Sequence, residues 1–125
     1  MSNLDPRRDD HAILLAVLIE SGRRFLVSDH ETRNNWLPGS VRHPDYPGFP
    51  FTDRTAWRFI AERLRAGDPL KEVTLTHPPG ARAYVLLVKL TSECRMLYIK
   101  VELRRGRVIG RSFHYSSLLE RTRYD

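Results

Sequence analysis

The chain has one cysteine, Cys94, in 125 residues. That scarcity excludes an internal disulfide framework and every cysteine-based zinc pattern, because both need several thiols at set spacings. No apolar run approaches the roughly 20 residues that a bilayer span needs. The opening MSNLDPRRDD is too polar for a secretory signal, so a cytoplasmic protein without a membrane partner is expected. His11, His30, His43 and His77 show no metal spacing such as two histidines four apart on a helix. His30 and His43 flank a loop, but no carboxylate cluster completes a metal site there. There is no phosphate-binding glycine loop, nucleophile elbow or dinucleotide fingerprint, and no repeat or low-complexity tract. No metal and no cofactor are expected.

What the chain does have is positive charge in one place. The net charge is +6. From Arg95 to Asp125 stand eight basic residues against three acidic ones, whereas the first 94 residues hold thirteen against twelve. A field concentrated in this way suits a docked polyanion. A solvated basic face with no ligand is the plain alternative.

At this length one domain, residues 1–125, is expected, large enough to bury roughly two thirds of its unfolded surface. Ile13, Leu14, Val17 and Leu18 recur at helical spacing between Asp10 and Ser21, and Gly22 stops that helix. Phe25 to Val27 suits a short strand. Residues 28–50 are dense in proline, glycine and asparagine, with Trp36, Tyr46 and Phe49 among them. So long a loop or insertion suits a lid, a docking surface or disorder, and its aromatics argue against the last. A second helix is expected from Asp53 or Arg54 to Ala66, capped by Asp53 and buried through Trp57, Ile60, Ala61 and Leu64. Strands are expected at Lys71–Thr76, Tyr84–Thr91, Met96–Leu103 and Arg107–His114. Consecutive strands with short connections imply an antiparallel sheet. The fold class is therefore α+β: two helices packed on an antiparallel sheet of three to four strands.

The last two strands carry the chemistry. Leu97, Ile99, Val101 and Leu103 alternate with Met96, Tyr98, Lys100 and Glu102, the signature of a half-buried strand. A three-residue loop, Arg104-Arg105-Gly106, would place Gly106 in the left-handed region and pair Leu103 with Arg107. Tyr98 would then face Ser112, Lys100 would face Gly110, and Met96 would face His114, all on the outer face. Arg111 would fall on the apolar face beside Ile109 and Phe113. A two-residue loop would shift the register and send His114 to the opposite face from Tyr98. Metal-free RNA cleavage needs a base, an acid and cations around the phosphorane. His114, Tyr98 and Lys100 could supply these, with Arg111 or Arg82 nearby; ordinary sheet-surface residues are the plain alternative.

The order DPLKEVTL (68–75), LYIKVEL (97–103) and GRSFH (110–114) resembles the MqsR-type toxins of the wider RelE-like group of bacterial RNases. Those are small toxins of toxin–antitoxin pairs, with helices on a twisted antiparallel sheet. They cleave messenger RNA without a metal and are silenced by an antitoxin. The resemblance covers roughly residues 52–116. It implies site roles for Lys71, for Tyr98 with Lys100, and for Ser112 followed by Phe113 and His114. His114 stands where that family has lysine, the final hairpin loop is one residue longer, and the 28–50 segment looks like an insertion. A glutamine of the family's site has no counterpart, Arg82 being the nearest candidate.

The expectation is a metal-independent endoribonuclease toxin acting on RNA by 2′-hydroxyl attack, with a cognate antitoxin as partner. His114, Tyr98, Lys71 and Arg82 are the candidate catalytic residues. Lys100, Arg111, Ser112, Arg104 and Arg105 are the candidate substrate contacts. The rival expectation is a non-catalytic RNA- or protein-binding module using the same basic face.

Overall fold

The computed structural model describes residues 6–26, 35–46, 48–76, 79–90 and 96–116. It is an α+β fold of two helices and a six-stranded, mostly antiparallel sheet. In chain order the elements are α1 (Pro6–Glu20), β1 (Arg24–Leu26), β2 (Asn35–Trp36), a 3₁₀ turn (Pro38–Ser40), α2 (Asp53–Arg65), β3 (Lys71–Thr74), β4 (Arg82–Lys89), β5 (Met96–Arg104) and β6 (Arg107–Tyr115). Strands β3 to β6 form the expected four-stranded antiparallel meander. The two additional strands lie one after the other along β6 and run parallel to it, β1 against Val108–Gly110 and β2 against Ser112–Phe113. They satisfy backbone groups that an uncovered edge would expose.

Helix α2 follows its pattern. Ala56, Trp57, Ile60, Ala61 and Leu64 are buried. Its cap is Thr52 rather than Asp53: Thr52 and Thr55 bond each other's backbone N–H in a capping box, satisfying donors that a helix start otherwise leaves open. Asp53 instead accepts the Trp36 indole N–H at 2.9 Å. Helix α1 turns a different face inward from the one its spacing suggests. Ala12, Leu15, Ala16 and Ile19 are buried, Leu18 is half-buried, and Ile13, Leu14 and Val17 stay exposed. The helix is apolar nearly all round, and α2 selects the small-residue face, where Ala12 and Ala16 allow close approach. Arg65 donates to Glu20 through Nε at 2.7 Å and Nη2 at 2.6 Å, tying the helix ends together.

The described part of the segment expected as a lid or docking loop, residues 35–46 and 48–50, anchors several of its side chains in the core. Trp36, Pro38, Val41, His43 and Phe51 are buried, with Trp36 stacked between Trp57 and Phe113 at ring separations of 4.7 and 5.5 Å. Of its aromatics only Tyr46 and Phe49 project outward. Residues 27–34, and with them Val27 and His30, lie outside the described residues, as does Thr91.

The final turn differs from the expected three-residue loop. Arg104 pairs with Arg107, so the turn is Arg105-Gly106, with φ of 51° and 73°. Positive φ at both central residues is the type I′ geometry, whose twist matches that of the flanking strands. Further along, the register shifts between Lys100 and Val101: Val101 faces Gly110 but Lys100 faces Ser112. Arg111 is thus the extra residue of a β-bulge, and the bulge reverses the alternation that the short turn had set. Phe113 therefore points into the core, while Ile109 and Arg111 both lie on the outer face, correcting the expected placement of Arg111.

Gly110 sits beneath Trp36. A Cβ there would stand 2.7 and 2.8 Å from the indole carbons Cε3 and Cζ3, and stacking plus the Asp53 bond hold that ring in place. Gly110→Ala is expected to destabilise the fold by about 1–3 kcal/mol, the usual range for overpacking, read from the urea unfolding midpoint. The Glu20–Arg65 pair gives a pH signature. Hydrogen bonding to Arg65 holds the Glu20 carboxyl below its usual range. Its contribution is therefore present above the ordinary glutamate value of about 4.3 and is lost as pH falls through the lowered folded value. Glu20→Gln is expected to remove a small, acid-labile part of the stability, visible as a shallower loss of Tm on acidification.

Candidate functional site

Alternation along β5 and the bulge in β6 bring the outward side chains into rows across the sheet. Lys71, Val85, Lys100 and Ser112 form one row through β3, β4, β5 and β6. The next row is Leu87, Tyr98 and His114. The Tyr98 and His114 rings are direct cross-strand neighbours, 5.5 Å apart and inclined at 31°. Their partners differ from the expected ones: Ser112 faces Lys100, and His114 faces Tyr98. Two departures from the expected hairpin, the shorter turn and the bulge, cancel in parity. They leave Tyr98, Lys100, Ser112 and His114 on one face.

His114 Nδ1 lies 2.8 Å from the Tyr115 carbonyl oxygen. A carbonyl only accepts, so Nδ1 carries the proton and the neutral ring has its basic lone pair at Nε2. Nε2 itself is buried. Tyr98, Lys71 and Lys100 are half-buried and Ser112 is buried.

A carboxylate not among the expected site residues organises the middle of this face. Glu102 has 0% exposure. Arg104 donates to it through Nε at 2.7 Å and Nη2 at 3.1 Å, and Arg111 donates through Nη1 at 3.1 Å. Two guanidinium groups on one carboxylate offset the desolvation that isolates a buried charge. The bulge makes this clamp possible, because it is what turns Arg111 outward. The i, i+2 spacing of Glu102 and Arg104 in a strand was the available sequence signal; the Arg111 contact depends on the bulge and had none. Ser112 follows immediately, so the clamp fixes the backbone from which Ser112 and His114 project.

Arg82 is not part of this group. It pairs with Leu103 and shares the side of β4 that bears Tyr84, which packs in the core under the helices. There it interacts with the Tyr84 phenol. Burial pushes that phenol up, the Glu72 charge adds to the rise, and Arg82 opposes it. His11 Nδ1 lies 3.7 Å from Glu72 on the same side. The expected catalytic role of Arg82 beside His114 is therefore withdrawn on geometric grounds: the sheet stands between them. Arg105 occupies the exposed turn, and Arg104 is largely committed to Glu102.

Among the described residues no group of three or more histidine, cysteine or acidic side chains is placed to hold a metal ion. No helix among them is long and apolar enough to cross a membrane. No protein-family model, no curated protein and no solved structure matches this chain.

Glu102→Ala leaves Arg111 and Arg104 without their shared anion in a buried setting. It is expected to cost about 3–5 kcal/mol, as for other buried pairs broken from one side, measured by denaturant unfolding. Amide exchange at residues 110–113 is expected to accelerate more than exchange in α2.

Proposed function

We propose that this protein is a metal-independent endoribonuclease, the toxin of a toxin–antitoxin pair, acting in the cytoplasm through the outer face of β5 and β6. The observation that carries this reading is the direct pairing of the Tyr98 and His114 rings at 5.5 Å, with the row of Lys71, Lys100 and Ser112 beside them. The resemblance of the DPLKEVTL, LYIKVEL and GRSFH segments to the MqsR-type toxins supports the same reading.

In the proposed reaction His114 Nε2 takes the proton of the 2′-hydroxyl, and the 2′-oxygen attacks phosphorus. The bond from phosphorus to the 5′-oxygen breaks, and the Tyr98 phenol supplies the proton to that leaving oxygen. The products are a 2′,3′-cyclic phosphate and a 5′-hydroxyl, and the imidazolium returns the proton to Tyr98. Lys71 and Lys100 offset the charge on the phosphorane, and Ser112 donates a hydrogen bond to a phosphate oxygen. A cognate antitoxin would silence the protein by covering this face. Because Nε2 is buried, substrate reaches it only when neighbouring side chains move aside. That burial also favours the second reading, a non-catalytic RNA-binding module.

Degradation of a mixed RNA in excess EDTA separates the two. His114→Ala is expected to lower the cleavage rate by roughly 10²–10⁴-fold, the usual contribution of a general acid or base. Tyr98→Phe is expected to have a comparable effect, and 2′-deoxy substitution at the cut site to abolish cleavage. Cleavage by His114→Ala at the wild-type rate sinks the catalytic assignment. RNA binding without any product, in wild type as in the variants, establishes the binding module instead.

A further inference from the structure

The outer face continues beyond the Tyr98–His114 row to the far end of the same strands, and another group gathers there. Phe25 of β1 pairs with Ile109 and shares its outward side. Phe25 is 45% exposed, although it sits in a sheet and could pack against neighbours. The Arg107 guanidinium carbon lies over the Phe25 ring, 5.3 Å from its centroid. Arg105 in the turn and Arg107 just after it are both exposed. Arg23 Nη1 approaches the same turn, 4.0 Å from where a Cβ on Gly106 would stand. The only carboxylate that faces this side from the described residues of β3 to β6 is Glu102, which is buried and held by Arg104 and Arg111. No other carboxylate of those described residues offsets the positive charge at the turn.

We propose that Phe25 and Arg107 form a second nucleic-acid subsite, in which an unpaired base stacks on the Arg107–Phe25 pair while Arg105 and Arg23 meet the adjoining phosphates. Bases stack on aromatic rings and on guanidinium planes alike. An aromatic already carrying a guanidinium presents both at once. Four rungs separate the Ile109 pair from the His114 pair, about 13 Å at the usual rise per strand residue, and Phe25 lies one strand to the side. A single strand held at both places spans on the order of two or three nucleotides between them. The subsite deepens the nuclease reading and rests on it for the direction of the strand. It requires only that the face bind single-stranded RNA.

The experiment measures anisotropy of labelled single-stranded RNA, about eight and about three nucleotides long. It uses His114→Ala protein so that no turnover intervenes. Adding Phe25→Leu is expected to weaken binding of the longer RNA roughly 5- to 100-fold, the range for loss of one stacked base, while Phe25→Trp retains it. Arg107→Gln is expected to weaken binding of the longer RNA in the same way, and Arg105→Gln to flatten the salt dependence of log Kd by about 0.7, one phosphate's worth for a single strand. Matching thermal melts establish that each variant is folded. Undiminished binding of the longer RNA by both Phe25→Leu and Arg107→Gln overturns the subsite, as does a parent protein that binds neither RNA. Displacement of the RNA by polyglutamate with Phe25→Leu still at parent affinity makes the patch an acidic-protein surface and also overturns it. If wild type cleaves nothing but Phe25→Leu still loses the longer RNA, the nuclease reading falls and the subsite stands.

Discussion

Glu102 is a carboxylate with no exposed surface in the middle of a strand, and it remains there because Arg104 and Arg111 both donate to it. Arg111 can do so only as the extra residue of the bulge. With Arg111 paired in the ladder instead of bulged, the Arg105-Gly106 turn would carry its register down the hairpin. Tyr98 would then face Phe113, and His114 would turn toward the helices. Phe113 is fully buried against Trp36 and Phe51, so losing the bulge would empty the centre of the core and scatter the outer group together. One ion cluster thus fixes the parity on which both faces of β6 depend.

The opposite side of the same strand imposes its own demand. Gly110 carries no side chain because the Trp36 indole occupies the space. The indole in turn is fixed by Asp53, Trp57 and Phe113. This places β2 alongside Ser112 and Phe113, so the residues next to the candidate site have hydrogen-bonded neighbours on both edges. Bulges are tolerated where the surrounding pairing over-determines the backbone. Here Trp36 clamps it from the core side and Glu102 from the outer side.

The strands were legible because their alternation is strict: Leu97, Ile99 and Val101 cannot all be buried in any other local conformation. The helix α2 was legible for the same reason, through Trp57, Ile60 and Leu64. Helix α1 was legible as a helix ended by Gly22, but its buried face was not, since Ile13, Leu14, Val17, Leu15 and Ile19 supply apolar residues on every side and only tertiary packing chooses among them. Arg82 was misplaced because a position beside a turn gives no parity until the strand's first paired residue is known. The outer grouping of Tyr98 with His114 was anticipated through a register that proved wrong twice. The turn was too long by one residue and the bulge was missing, and each error shifts parity by one. That agreement owes nothing to sequence periodicity beyond Lys100, because a bulge leaves no fixed mark in a pattern of alternating residues. The burial of Trp36, Val41 and Phe51 was hidden for a related reason: a segment rich in proline and glycine reads as a surface loop even when its apolar residues face inward.

The clamp also decides what the face can attract. Five cationic side chains face outward from β3, β5 and β6: Lys71, Lys100, Arg104, Arg107 and Arg111. Among the outward residues of those strands only one carboxylate, Glu102, accompanies them. Had Glu102 been exposed, it would have screened the centre of the stripe and repelled a phosphate passing over it. Buried between two guanidinium groups, it lowers the self-repulsion of the arginines while leaving a net positive surface. The carboxylate that sets the strand's geometry therefore also permits cations to crowd along one face, and it acts on any bound polyanion through the position of its neighbours rather than by contact.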